Sequence, residues 1–84
     1  MYVEFFGIPR ERAGISRLEV QANTLGQLLG VLASQVPSLG SLLGADGLNP
    51  ACAANLNGDR FVSDIATPLR ESDCILILSA DAGG

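Results

Sequence analysis

Hydrophobic and polar residues alternate at the start of the chain, in the pattern of a β-strand with one buried face. A period of two places Val3 and Phe5 on one side of such a strand. The other side receives Tyr2, Glu4 and Phe6. Because the side with Val3 and Phe5 is expected to face a core, Phe6 lies either beneath a neighbouring loop or exposed for a partner.

The pattern that follows predicts a second strand. Residues 7–14 contain Pro9 and several charged side chains, which favours a solvated connection. In residues 16–21, Leu18 and Val20 alternate with polar residues, as in a sheet with one wet face. Since the connection is short, the first two strands are expected to form an antiparallel hairpin.

One main helix is predicted from Thr24 onward. Thr24 and Gln27 have the spacing of a capping box, in which both side chains satisfy amides at the helix start. Pro37 forces the chain out of the helix at the preceding residue. The leucine-rich residues after Pro37, as far as residue 44, predict one short helical turn, and residues 45–47 predict a loop after it. The apolar positions that recur at helical spacing are Leu25, Leu28, Leu29, Leu32 and Val36.

The second half of the chain predicts three more strands. Residues 51–56 are small and mostly apolar, Asn57-Gly58 is a strong hairpin signal, and residues 60–62 return from that turn. Residues 74–78 form an apolar run without alternation, which predicts a strand buried on both faces in the middle of the sheet, beside the first strand. The order β-β-α-β-β-β predicts an α+β layer pair.

The composition excludes several chemistries. The 84 residues fit one domain with one small core. Because the chain has no histidine, it cannot provide an imidazole for nucleophilic catalysis, proton transfer or metal binding. All five basic residues are arginine, so no lysine is present for a Schiff base or a Walker-type phosphate loop.

Charge and hydropathy indicate the class of partner. The net charge of −4 and the pI near 4.4 argue against nucleic acid and favour an electropositive protein surface. Hydrophobic residues make up 48% of the chain, which predicts that some of them form an interface. No apolar run approaches the about 18 residues of a membrane span, and the first residues lack leader features. We therefore expect a cytoplasmic protein without membrane contact.

The two cysteines are expected to be buried and unreactive. Cys52 and Cys74 lie in apolar surroundings and lack C-x-x-C spacing. Two thiols alone cannot complete a tetrahedral zinc site, so no metal is expected. A disulfide or a reactive thiol remains the alternative.

The end of the chain carries the candidate chemistry. Residues 1–80 are expected to form the domain, and residues 81–84 a flexible tail. Gly83 and Gly84 have no side chain, so this backbone can thread a narrow channel that any side chain would block. The terminal carboxylate is a poor electrophile, so Gly84 would need activation by a partner, for instance as a mixed anhydride with AMP.

Several short motifs, spread over the whole chain, carry a family resemblance. The chain resembles the small sulfur carriers of the β-grasp, ubiquitin-like fold (MoaD and ThiS types). Its start is most similar to the small subunit of molybdopterin synthase. The motifs are Phe5-Phe6-Gly7, Arg10-Glu11 with Gly14, Thr24, the helix ending at Pro37, Leu56-Asn57, Pro68-Leu69 with Asp73, and Gly83-Gly84.

The resemblance implies a mixed sheet of four to five strands packed on one main helix. It also implies that an E1-like enzyme adenylates Gly84 with ATP and that a sulfur donor converts the adenylate into a thiocarboxylate. In the molybdopterin branch, the tail would enter the large synthase subunit (MoaE-like), with Gly83 needed for clearance. The chain would then be a carrier subunit with covalent sulfur on Gly84, no bound cofactor and no catalytic residues of its own.

The resemblance further implies a partner interface at Phe6, Val62 and Leu78, continued by Asp81 and Ala82. The alternative for Phe6, Val62 and Leu78 is ordinary packing at a sheet edge. Other final acceptors stay open, namely sulfur delivery for thiamin, cysteine or tRNA thiolation. Two other classes also stay open: a ubiquitin-like modifier conjugated through Gly84, and a plain binding domain with an idle tail.

Three further positions receive simpler interpretations. Asn57 is expected to adopt the left-handed backbone of a turn. Asp73, like Asp59, Asp64 and Asp81, is expected to be a solvated turn residue. Arg10 and Arg12 belong to a solvated loop face, or alternatively bind a phosphate or an acidic partner.

Overall fold

The computed structural model, which describes residues 1–80, places one long helix across one face of a five-stranded sheet. The expected tail, residues 81–84, lies outside the described residues. A 3₁₀ turn at Pro37–Leu39 follows the long helix. The other elements, in chain order, are β1 (Tyr2–Phe5), α1 (Gly7–Ala13), β2 (Arg17–Glu19), α2 (Leu25–Gln35), β3 (Leu43–Gly44), β4 (Gly47–Leu48), β5 (Cys52–Leu56), β6 (Arg60–Val62) and β7 (Cys74–Ser79).

The sheet has the strand order β2-β1-β7-β5-β6. Only β1 and β7 run parallel, with Phe5 opposite Ile77, and the other three pairs are antiparallel. The last strand therefore occupies the centre of the sheet beside the first strand, as the sequence predicted. A mixed sheet on one main helix confirms the predicted α+β class and the β-grasp fold.

The core lies between α2 and one face of the sheet. Val3 and Phe5 of β1 and Ile75 and Ile77 of β7 are at most 1% exposed, and they meet the fully buried leucines of α2. Removing such a side chain from water contributes about 1.5–3 kcal/mol, so this layer contact is the main source of stability. The predicted separation of Val3 and Phe5 from Tyr2, Glu4 and Phe6 is confirmed.

The boundaries of α2 follow the sequence signals. The Thr24 Oγ1 accepts a hydrogen bond from the Gln27 amide at 3.2 Å, and the Gln27 Oε1 accepts one from the Asn23 amide at 2.6 Å. The helix ends at Gln35, and Pro37 begins the next turn. Side-chain capping and proline are local effects, which is why the sequence predicted both ends correctly.

Residues 7–14 connect β1 to β2 and are mostly exposed, as predicted, but the sequence did not predict that residues 7–13 form the helix α1. Pro9 is fully buried in its first turn, where the missing amide costs no intrahelical hydrogen bond. Gly14, at φ +73°, ends the helix, and its amide donates to the Arg10 carbonyl at 3.0 Å. The start of the helix is capped from the last strand, 71 residues away, and no local pattern reveals such a contact.

Two further expectations need correction. The short strands β3 and β4 pair around Ala45 and Asp46, where a loop was expected, and they follow the predicted helical turn. The strand β7 is not buried on both faces: Ile75 and Ile77 are inaccessible, but Leu76 and Leu78 are partly exposed. Because no second layer formed by residues 1–80 covers that side, Leu76 and Leu78 lie on an uncovered surface.

Candidate functional site

The face of the five-stranded sheet opposite α2 is uncovered, and we call it the open sheet face. It combines apolar side chains at its centre with charged residues on β1 and β2. By strand register its residues are Tyr2, Glu4, Phe6, Arg17, Glu19, Ala53, Asn55, Phe61, Cys74, Leu76 and Leu78. A partly exposed apolar surface on a domain of this size is typical of a protein interface.

Phe6 and Leu78 are neighbours on the open sheet face. Phe5 pairs with Ile77, and the Phe6 amide donates to the Ile77 carbonyl at 2.9 Å, so the next residues of both strands lie side by side. Phe6 is 42% exposed, which decides in favour of an exposed position over burial beneath a loop. The structure therefore brings together two of the three residues predicted for the body of the interface.

Val62, the third predicted residue, lies on the opposite face of the sheet. It pairs with Ala54, is only 8% exposed and belongs to the core. The hairpin pairs Leu56 with Arg60, so three residues form the loop and the side chain of Val62 is directed inward. A shift of one residue in strand register exchanges the two faces of a strand. Val62, assigned to the interface by resemblance, therefore does not lie on the face that carries Phe6 and Leu78.

Phe61 occupies the outward position that was expected for Val62. It pairs with Asn55 across the hairpin and is 58% exposed, more than any other large hydrophobic residue among residues 1–80. The alternation along β6 shows only that Phe61 and Val62 point to opposite faces. The loop length was needed to decide which of the two is outside.

Asn55 is a polar residue within this apolar region. Its Oδ1 atom is buried and is the one buried side-chain oxygen or nitrogen without a hydrogen-bond partner among residues 1–80. A buried acceptor without a donor costs free energy, about 1–3 kcal/mol. The open sheet face therefore contains a local site that is not optimised for the stability of the isolated domain.

The end of β7 is attached to its surroundings on two sides. The Ser79 Oγ accepts a hydrogen bond from the Ile8 amide at 2.9 Å, and the Ala80 amide donates to the Ala51 carbonyl at 2.8 Å. Both contacts lie immediately before the predicted tail. The predicted site residues Asp81, Ala82, Gly83 and Gly84 lie outside the described residues.

At the opposite end of β7, Asn57 and Asp73 connect two turns. Asn57 adopts φ +60°, as predicted, and its Nδ2 donates to the Asp73 Oδ1 at 3.0 Å. The Asn57 Oδ1 accepts from the Cys74 amide at 2.7 Å, and the Asp73 Oδ2 accepts from the Arg70 amide at 2.7 Å. The hydrogen bonds from Asn57 and from the Arg70 backbone lower the pKa of Asp73. Asp73 is therefore a bonded structural carboxylate, which corrects the expectation of a merely solvated turn residue.

The two cysteines offer no activated nucleophile. Both are free, with Cys52 buried and Cys74 half-buried. Burial raises the pKa of both thiols, and the carboxylate of Glu4, 3.8 Å from the Cys74 Sγ, raises the pKa of Cys74 further. The two thiols sit at opposite ends of the sheet, since Cys52 pairs with Ser79 and Cys74 with Tyr2. This geometry agrees with the prediction that the two thiols are unreactive, and it excludes a disulfide between Cys52 and Cys74.

Arg12 and Arg17, two of the three arginines in the first quarter of the sequence, make contacts within the domain. The Arg12 Nη1 donates to the Ser41 Oγ at 3.1 Å, and the Arg17 guanidinium lies 3.8 Å from the centre of the Tyr2 ring. Arg10 borders a shallow surface cleft. Within residues 1–80, no cluster of three or more acidic or cysteine side chains could hold a metal ion, and no helix is long and apolar enough to cross a bilayer.

Comparison with known proteins assigns the chain to a family. The model of the ThiS family matches residues 3–84, which is nearly the entire chain and includes the terminal glycine pair. The chain belongs to the ThiS family. Its similarity to β-grasp sulfur carriers of the MoaD and ThiS types, stated above as a resemblance, is thereby confirmed. No curated protein sequence matches this ThiS-family chain significantly.

Solved structures share the fold over nearly the whole chain. A chain of the BexX/CysO complex from Amycolatopsis orientalis has a TM-score of 0.79 at 22% identity, covering 99% of this chain and 98% of that one. Small archaeal modifier protein 1 from Methanosarcina acetivorans has a TM-score of 0.77 at 24% identity, with 99% and 94% covered. A chain of the complex of subunits 1 and 2 of molybdopterin-converting factor from Helicobacter pylori has a TM-score of 0.68 at 28% identity, covering 99% of this chain and 96% of that one. Two of these three relatives were solved in complexes with partner proteins.

Proposed function

We propose that this ThiS-family protein carries sulfur as a thiocarboxylate on Gly84, as the small subunit of a molybdopterin synthase. The observation that carries the proposal is the family match, which runs through the β-grasp domain to the terminal Gly83-Gly84. The central strand β7 ends at Ser79, and Gly84 is the fifth residue after it in the sequence.

In this proposal, an activating enzyme and a sulfur donor supply the catalytic groups, and the carrier supplies the carboxylate of Gly84. The Gly84 carboxylate attacks the α-phosphorus of ATP on an E1-like enzyme, and pyrophosphate leaves. Hydrosulfide supplied by a sulfur donor then attacks the acyl carbon of the adenylate, AMP leaves, and the new C–S bond makes Gly84 a thiocarboxylate. The thiols of Cys52 and Cys74 are weakened as competing nucleophiles, because burial raises their pKa values, and the sequence contains no histidine or lysine.

The open sheet face supports docking to a large synthase subunit. Phe6 and Leu78 lie side by side at the C-terminal end of β7, and Phe61 is exposed on the same face of the sheet, on β6, two strands from β7 and level with Leu76. The similar chain from Helicobacter pylori belongs to a complex of subunits 1 and 2 of molybdopterin-converting factor, which supports a large synthase subunit as the partner. In this proposal the face binds the large subunit while Gly84 delivers sulfur to a pterin precursor.

The terminal carboxyl is tested by intact-mass measurement on protein purified from its native host. We expect a fraction of the molecules to show the mass increase of one oxygen-to-sulfur exchange, located by fragmentation at Gly84. The large subunit should co-purify. Conjugates with lysine side chains of other proteins would instead indicate a modifier, and an unaltered terminus under sulfur-replete growth would contradict the carrier function.

A further inference from the structure

The edge of the five-stranded sheet that β2 forms has two charges of opposite sign. Among residues 1–80, β2 pairs with β1 alone, and its three residues are Arg17, Leu18 and Glu19. Arg17 and Glu19 are exposed on the open sheet face. The unpaired backbone groups of an edge strand can bind a further strand, and proteins commonly prevent this with charged side chains. Because the two charges of β2 differ in sign, they repel some strands and attract others.

The backbone hydrogen bonds of β2 show which of its residues face outward. The Met1 ammonium donates to the Val20 carbonyl, and the Val20 amide donates to the Met1 carbonyl, both at 3.0 Å. In an antiparallel ladder, such doubly bonded pairs recur at every second residue, so Leu18 bonds to β1 as well. The amides and carbonyls of Arg17 and Glu19 therefore point away from β1, toward the outside of the sheet.

A second copy of β2 fits this edge when it lies antiparallel to the first, with the two-fold axis at Leu18. In this register, Arg17 of each copy lies opposite Glu19 of the other copy. The outward backbone groups of these two residues can then exchange hydrogen bonds, and their side chains form opposite-charge pairs on the open sheet face. The two copies of Leu18, which is only partly buried, meet on the inner face beside the axis.

Other two-fold registers of this edge match less well. An axis at Arg17 or at Glu19 keeps the backbone groups aligned but places identical charges opposite each other, which destabilises a strand pair. An axis between two residues places an outward residue opposite Leu18, whose backbone groups face β1. The other edge strand, β6, has Arg60 as its one charged residue and so lacks a self-complementary pair. The charges of β2 therefore select one partner, a second copy, and one register.

We propose that β2 is an interface for a second copy of this chain, which forms a symmetric dimer by joining the two sheets at their β2 edges. The two open sheet faces then lie on the same side of the joined sheet, because a two-fold axis through an antiparallel strand pair keeps the faces aligned. The contact between two short strands is smaller than the interface of a stable complex, so we expect a dissociation constant on the order of 0.1 mM. This dimer does not depend on the proposed function of Gly84.

The dimer is tested by sedimentation equilibrium of the full chain between about 10 μM and about 1 mM. Arg17→Glu and Glu19→Arg each place like charges opposite each other, so each variant alone should have a dissociation constant at least about ten-fold higher than that of the wild type. An equimolar mixture of the two variants should dimerise like the wild type, because every pair in the mixed dimer again joins opposite charges. Arg60→Glu, which changes the net charge as Arg17→Glu does but lies on β6, is the matched control and should stay close to the wild type.

The overall charge of the chain gives the opposite expectation for one variant. The net charge is −4, so Glu19→Arg lowers the general repulsion between copies and would strengthen an unspecific association. In the proposed register the same substitution weakens the dimer. Glu19→Arg that dimerises as tightly as the wild type would therefore overturn the proposal, and so would a mixture of the two folded variants that stays monomeric.

Hydrogen exchange of the wild type is a second measurement that needs no variant. The outward amides of Arg17 and Glu19 should exchange about three-fold more slowly at about 1 mM than at about 50 μM, because most chains are dimeric at the higher concentration. The amide of Leu18, which is already bonded to β1, should show the smaller change. Exchange at Arg17 and Glu19 that is independent of concentration, or a wild type that is monomeric throughout, would overturn the proposal.

Discussion

Single residues connect parts of the chain that are far apart in sequence. Asn57 was expected only to adopt a turn backbone, and it does so with φ +60°. Its side chain also bonds to Asp73, 16 residues away, and to the Cys74 amide. The turn conformation is predictable because Asn-Gly has a local preference. The partners were not predictable, because they meet only once β5 and β7 have paired.

Asp73 gives a test at the residue scale. The hydrogen bonds from Asn57 and the Arg70 amide lower its pKa in the folded state, so as the pH falls the unfolded chain binds the proton first. The stabilisation is therefore complete above the ordinary pKa of an aspartate and is lost as the pH falls through the lower folded value. We expect Asp73→Asn to lower the free energy of unfolding at pH 7, by less than about 1 kcal/mol because solvent screens this carboxylate, and to have a smaller effect at pH 3, below the ordinary pKa of an aspartate.

Denaturant unfolding of the Asp73→Asn variant at both pH values measures this difference. Asp59→Asn, which changes an exposed carboxylate in the nearby hairpin loop, is the matched control. An equal effect of Asp73→Asn at both pH values would show that the charged form of Asp73 does not stabilise the fold.

At the scale of elements, strand register decides which residues face a partner. Phe61 and Val62 are adjacent in β6, but one is 58% exposed and the other 8%. The sequence predicted the strand and its turn correctly. The predicted bounds of the two strands also leave the three residues of this loop, but the pairing of Leu56 with Arg60 was not predicted, and this pairing places Phe61 outside and Val62 inside.

These adjacent residues provide a matched pair of substitutions. Phe61→Ala should weaken binding of the large subunit about ten-fold or more, because it removes an exposed aromatic side chain from the proposed docking face, with little change in unfolding free energy. Val62→Ala should lower the unfolding free energy by about 1–3 kcal/mol, because it creates a cavity, and leave the affinity of the folded protein unchanged. Calorimetric titration and denaturant unfolding measure the two quantities. Weakened binding by Val62→Ala alone would exclude the open sheet face as the docking surface.

At the scale of the whole molecule, the structural and chemical roles are separate. The core lies between α2 and the inner face of the sheet, the proposed docking residues lie on the open sheet face, and the proposed reactive carboxyl lies at the end of the chain. A substitution in one of these regions should therefore leave the other two largely intact, since distant sites contribute almost independently.

Deletion of Gly84 tests this separation. We expect adenylation to be abolished, because the terminal carboxyl would move by one residue, while the melting temperature stays unchanged. Pyrophosphate exchange with the activating enzyme and thermal unfolding are the two measurements. Addition of one alanine after Gly84 is the matched control for chain length, and it should abolish adenylation as well. Normal exchange by the deletion variant would contradict the role of Gly84.

The sequence by itself determined the fold class, the ends of α2, the positions of the five sheet strands and the family. These features depend on local preferences, on apolar periodicity and on short motifs, all of which can be read from neighbouring residues. The tertiary structure alone decided that residues 7–13 form a helix, that Phe61 replaces Val62 on the open sheet face, and that Ser79 contacts Ile8. Each of these depends on segments far apart in the chain, whose relative position is established only when the sheet has formed.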